Sequence, residues 1–116
     1  MKEDEFYFLQ IDGCLERIQD YTAEGEEAFF RSSMIQDAVI RNLELISAAA
    51  SKISEDGKKE LPAIPWRALA AVQKLLLYVD IREAWNTVEQ NVGPIRKSLE
   101  PATAESKREL RKRTGN

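Results

Sequence analysis

The chain has 116 residues, of which 43% are hydrophobic and 32% charged, and a formal net charge of -3. That length supports one core and not two, and the balance of apolar and charged residues excludes a chain disordered throughout. The chain has no histidine and a single cysteine, which excludes histidine-based triads, histidine zinc sites and an intrachain disulfide.

The expected compartment is the cytoplasm, because Cys14 has no partner and the opening Lys2-Glu3-Asp4-Glu5 does not lead into an apolar segment. Apolar runs such as Leu75-Leu76-Leu77-Tyr78-Val79 fall far short of the roughly 20 residues that span a bilayer, so no membrane role is expected. Charge is uneven along the chain. Acids crowd the first 27 residues, while Lys107, Arg108, Arg111, Lys112 and Arg113 crowd the end. A basic end of this kind is solvated, meets an acidic partner, or meets phosphate; solvation is the leading reading and nucleic acid the weakest.

From Asp4 to about Tyr21, Phe8, Ile11, Leu15 and Ile18 recur at steps of three and four, which predicts an amphipathic helix with Cys14 at the edge of its buried seam. Residues 22–26, with Gly25, read as a short connection. The longest pattern follows: Phe30, Met34, Ile35, Ala38, Val39, Leu43, Ile46, Ala50 and Ile53. No proline or glycine interrupts it, so it predicts one helix over residues 29–54, about 39 Å long, at the centre of the fold. Asp37 and Arg41, four apart on that helix, form either a surface ion pair or a polar anchor for a partner; the surface pair is the simpler reading.

Gly57 and the segment Leu61-Pro62-Ala63-Ile64-Pro65 return the chain, and Pro65 suits the first turn of the next helix. That helix carries Trp66, Leu69, Val72 and Leu76 as its apolar stripe. Asp80 is expected to cap a further helix bearing Ile81, Ala84, Trp85, Val88 and Val92, accepting from an amide near Glu83. Gly93-Pro94 is expected to end or kink it, Ile95 to Leu99 to add a short turn, and the chain after Pro101 to be a frayed helix or tail. The expected architecture is all-α, an antiparallel bundle of four to five helices over residues 1–100 with a basic tail over 101–116. Lacking histidine, a second cysteine and a glycine-rich phosphate loop, the chain is expected to use no metal and no cofactor.

The run Gln36-Asp37-Ala38-Val39-Ile40-Arg41-Asn42-Leu43-Glu44-Leu45-Ile46 resembles the central-helix signature of the HepT-like proteins of the HEPN group. Pro62-x-Ile64-Pro65-Trp66, then Val79-Asp80 and Trp85, resemble the rest of that pattern in the same order, and the similarity covers about Ile11 to Leu99. The resemblance implies a homodimeric helical bundle with a cleft between subunits, and a metal-independent ribonuclease acting as the toxin of a pair. The implied antitoxin is a small nucleotidyltransferase that can adenylylate a motif tyrosine.

The family motif is an arginine, four to six residues, a histidine, one residue and a tyrosine. Here Gln73 stands where the arginine is expected, the histidine is absent, and Tyr78 aligns with either the histidine or the tyrosine position. The stretch between Leu77 and Val79 is about four residues shorter than the family pattern, and Ser47-Ala48-Ala49 replaces the family's Gly-Glu-Ala. Gln73 and Tyr78 are therefore the motif-region candidates, with Tyr78 a candidate adenylylation site, and Asp37 and Arg41 the candidates for a cleft or partner contact. No residue is assigned as catalytic. The expected function is a HepT-like toxin-system component with lost or reduced RNase activity, and the alternative is a non-enzymatic helical dimerisation or interaction module.

Overall fold

The apolar stripes read from the sequence converge on one another in the computed structural model, which describes residues 2–75 and 80–114. The chain forms α1 (Lys2–Tyr21), α2 (Glu26–Arg31), α3 (Ser33–Ala50), α4 (Glu55–Glu60), α5 (Trp66–Leu75), α6 (Ile81–Thr87), a π-helical turn over Val88–Val92, and α7 (Gly93–Thr114). It is an all-α helical bundle, with no strand among the described residues. α1 packs between α3 and α7, and α3 packs between α1 and α5. The molecule measures 39 × 35 × 19 Å, and its short dimension is about two helix diameters.

The centre of the core is the α1–α3 seam. Ile11, Leu15 and Ile18 of α1 are buried with Val39, Leu43 and Ile46 of α3, and Leu99 of α7 closes the same cluster. Phe8 meets Trp66 with ring centroids 6.1 Å apart, so the aromatic that opens α5 is anchored on the first helix. Trp66 also donates its indole N–H to the Leu61 carbonyl at 3.1 Å, which satisfies the polar edge of a buried ring.

The predicted single helix over residues 29–54 is two helices joined at Ser32. Ser32 is extended (φ -122°, ψ 107°), and its hydroxyl accepts from the Ile35 N–H at 3.1 Å, the geometry of an N-cap. Gln36 donates its side-chain amide to the Phe29 carbonyl at 3.0 Å, meeting one of the acceptors left open at the end of α2. The break lets Phe29 turn into the core, fully buried, with its ring centroid 5.2 Å from that of Trp85. At the other end α3 stops at Ala50, and Ile53 reaches the core from a turn.

Gly57 does not break a helix but sits inside α4, buried against α1. Its amide donates to Ser54 Oγ, and Ser54 in turn donates its N–H at 2.9 Å and its hydroxyl to the buried Asp4 carboxylate. A Cβ at position 57 would lie 2.6 Å from Asp4 Oδ2. Glycine is needed here for close approach.

Gly93-Pro94 does not end the helical path either. Gly93 is helical (φ -60°, ψ -53°), and the π turn immediately before it widens the coil ahead of Pro94. An α-helical path would press the proline ring on the carbonyl four residues earlier. α7 then runs through Pro101 to Thr114, so residues 101–114 are helical where the sequence suggested fraying or a tail. Thr103 is buried, Ser106 donates to Glu5 at 3.1 Å, and Lys107 reaches Asp12 at 2.6 Å. Tertiary contacts with α1 carry the helix past the proline.

Candidate functional site

The candidate region is the junction of α5 and α6, held in place by the elements on either side. α3 carries α5 through a close approach: Ser47, wholly buried, donates its hydroxyl to the Ala70 carbonyl at 2.9 Å. Ala49 and Ala50 beside it are buried, while Ala48 faces out. Ser47, Ala49 and Ala50 therefore serve helix contact, and Ala48 does not. Gln73 lies on α5 one turn beyond Ala70, but its side chain falls outside the described residues. Tyr78 also lies outside them.

On the far side, Asp80 caps α6 as expected. Its carboxylate accepts from the Arg82 N–H at 2.9 Å, the amide next to Glu83. The same arginine sits with its guanidinium carbon 4.2 Å from the Phe30 ring centroid and donates to Glu26 at 2.8 Å, clamping α6 to α2. Trp85 follows one turn later, buried, and its indole N–H has no hydrogen-bond partner among the described residues. An unpaired buried donor costs about 1 to 3 kcal/mol, so Trp85 is held by its packing on Phe29 and the core.

Asp37 and Arg41 do not join this junction in any buried cluster. Both are exposed on the face of α3 turned away from the core. Arg41 pairs with Glu44, at 3.7 Å, in place of the expected partner Asp37. The Arg41 side chain is 69% exposed, so the pair contributes little to stability.

Three polar clusters built on buried side chains escaped the sequence reading. Arg17 donates to Asn42 Oδ1 at 3.0 Å and to Cys14 Sγ at 3.3 Å, tying α1 to α3. Burial pushes the Cys14 thiol above its ordinary value, although Arg17 works the other way, so a neutral structural thiol results. Asp12 accepts from Arg96 and Lys107 of α7, and Asp4 accepts from Ser54. The available signal was an acid or amide within an apolar period: Asp4, Asp12 and Asn42 all fall on core-facing positions.

The chemistry open to this region is narrow. Asp80 is engaged as a cap and Arg82 as a clamp. Among the described residues no group of three or more histidine, cysteine or acidic side chains could hold a metal ion, and no helix is long and apolar enough to cross a membrane.

A buried α1–α3 seam, a proline-led α5 anchored by its first-turn tryptophan and a capped α6 define an all-α bundle with the arrangement the central-helix signature implies. The family model for "Ribonuclease HepT-like" matches residues 11–102, and the chain belongs to that family. It is 34% identical to a probable ribonuclease HepT of Thermococcus cleftensis, over 81% of this chain and 90% of that protein. It is 35% identical to a putative RNase of Methanocaldococcus jannaschii, over 81% of this chain and 85% of that one. A second putative RNase of that organism is 32% identical, over 81% and 82%. No solved structure matches the chain.

Proposed function

We propose that the chain is a HepT-like component of a toxin–antitoxin pair in which RNA cleavage is lost or strongly reduced. The observation that carries this reading is chemical: the chain contains no histidine, and Gln73 occupies the position where the family arginine is expected. Cleavage through RNA's own 2'-hydroxyl needs a group to move a proton at neutral pH and a cation to stabilise charge on the phosphate. A glutamine amide supplies neither.

The proposed working unit is a cytoplasmic homodimer that contacts a nucleotidyltransferase. Supporting this is the outward face of α3, where Met34 is 78% exposed and Asp37, Arg41 and Ala48 are also exposed. A partner surface meeting this face would bury the Met34 side chain between polar neighbours. The same face favours the second reading, a non-enzymatic interaction module.

The test of lost cleavage is incubation of the purified protein with structured and unstructured RNA, read on denaturing gels. Both RNAs are expected to stay intact. Cleavage that co-purifies with the folded protein and disappears on denaturation would sink the reading. Co-purification with a nucleotidyltransferase separates the toxin-system component from the plain interaction module.

A further inference from the structure

Residues 103–114 lie beyond the stretch matched to the family, yet they form the last three turns of α7. Their contacts fix the orientation of the whole helix. Ile95, Leu99 and Thr103 point into the core, while Ser106 and Lys107 bond to α1. At about 100° per residue, the side opposite that buried face carries Lys97, Pro101, Ala104, Arg108, Arg111 and Lys112 within an arc of about 100°. No acidic residue falls inside this arc, and Glu100 and Glu105 lie about 20° beyond its two edges. Lys97, Arg108, Arg111 and Lys112 are all exposed, and none is within ion-pair distance of a carboxylate among the described residues. The cationic stripe runs about 22 Å along the helix.

Attraction to the helix C-terminus explains basic residues in the final turn, but its effect fades within that turn. It does not account for Lys97 and Arg108, or for the absence of acids along the stripe. Arg108 repels Arg111 and Lys112 at spacings of three and four, a cost that Glu105 and Glu109, three residues before Arg108 and Lys112, offset only in part and that a polyanion on the stripe would relieve.

We propose that this stripe is a docking surface for the phosphate backbone of single-stranded RNA. A straight row of cations on an anchored helix follows a strand of phosphates, and the two arginines can each bond a phosphate through two N–H groups. The stripe has no large apolar side chain to enter a lipid surface, since Leu110 lies on the other side of the helix. The choice of RNA among polyanions rests on the family reading above; the docking itself is independent of whether any cleavage remains.

The test is fluorescence anisotropy of a labelled, unstructured RNA oligonucleotide across a salt series, with integrity of the RNA checked separately on a denaturing gel. The triple variant Arg108→Gln/Arg111→Gln/Lys112→Gln is expected to bind on the order of 10 to 100-fold more weakly. Its slope of log affinity against log salt should be shallower by about 2, the amount for three lost phosphate contacts on a single strand. The control Arg31→Gln/Lys59→Gln, on α2 and α4, should bind as the unaltered protein does, and circular dichroism melts of all three proteins should overlap. Absence of RNA binding by the unaltered protein overturns the proposal, as does an unchanged affinity or slope in the triple variant. An equal loss in the control would overturn it too. Displacement of the RNA by poly-glutamate as readily as by unlabelled RNA overturns it in favour of an acidic protein partner, and stronger binding of single-stranded DNA overturns the choice of RNA. Cleavage on the gel bears on the family reading alone.

Discussion

Lys107 of α7 places its ammonium 2.6 Å from the carboxylate of Asp12 on α1, an acid whose side chain is only 4% exposed. Arg96, about three turns earlier on the same helix, holds the other oxygen of that carboxylate at 3.3 Å. One buried acid on the first helix therefore fixes two points of the last.

Removing the second point should loosen the end of α7 without unfolding the bundle. Lys107→Met is expected to lower stability by about 1.5 to 3 kcal/mol, the usual worth of a hydrogen bond to a charged group. Urea unfolding gives the magnitude. Amide hydrogen exchange should show the loss concentrated after Thr103, and uniform acceleration over all helices would contradict the anchoring role.

Gly57→Ala ordinarily improves a helix by about 1 kcal/mol. Here the new methyl would meet Asp4 Oδ2 at 2.6 Å and Ile53 Cγ2 at 2.9 Å, so the substitution is expected to destabilise by about 1 to 3 kcal/mol. Combining it with Asp4→Ala should make the cost smaller than the sum of the two singles, a coupling that a double-mutant cycle reads directly. Simple additivity would show that Asp4 is not what the methyl strikes.

Asp4 also sets a pH dependence. Hydrogen bonds from the Ser54 hydroxyl and then the Ser54 amide hold its carboxyl below the ordinary value of 3.8, against the opposing effect of burial. A carboxyl lowered in the folded state contributes stability that is complete above the unfolded value and is lost as pH falls through the folded one. The stability gap between the unaltered protein and Asp4→Asn should accordingly be constant near neutrality and narrow below 3.8. A gap that widens on acidification would reverse the sign of this argument.

Leu43→Ala, in the α1–α3 seam, is expected to cost about 2 to 5 kcal/mol, since the side chain is 5% exposed. Arg41→Ala, two positions earlier, should cost less than about 1 kcal/mol. Thermal unfolding of both variants checks the order.

Tyr78 is testable by mass. Incubation with ATP and a nucleotidyltransferase partner should add one adenylyl group, the phenolic oxygen displacing pyrophosphate, and Tyr78→Phe should abolish the increment. An increment that survives the substitution rules out this site.

The helices were legible in the sequence because their apolar periods are long: Phe8, Ile11, Leu15 and Ile18 all face the core as their spacing requires. Ser32 was not, because a serine inside an uninterrupted apolar period is indistinguishable from a tolerated helical residue until its hydroxyl is seen on the Ile35 amide. Pro101 misled for the opposite reason. It is a local helix breaker overridden by contacts of Ser106 and Lys107 with residues about a hundred positions away. At the candidate site, the absence of histidine was legible from composition alone, whereas the Arg41 pairing turned on a choice between two equivalent acids.

The π turn over Val88–Val92 sets the phase of the long rod formed by α6 and α7. An inserted residue advances a helix face by about 100°. The half that bears Trp85 can thus address α2 and α3 while the half that bears Leu99 addresses α1. Each half is indexed to its own neighbour, so adding or removing one residue at the turn would rotate Ile95, Leu99 and Thr103 off the core while leaving the Phe29–Trp85 contact in place.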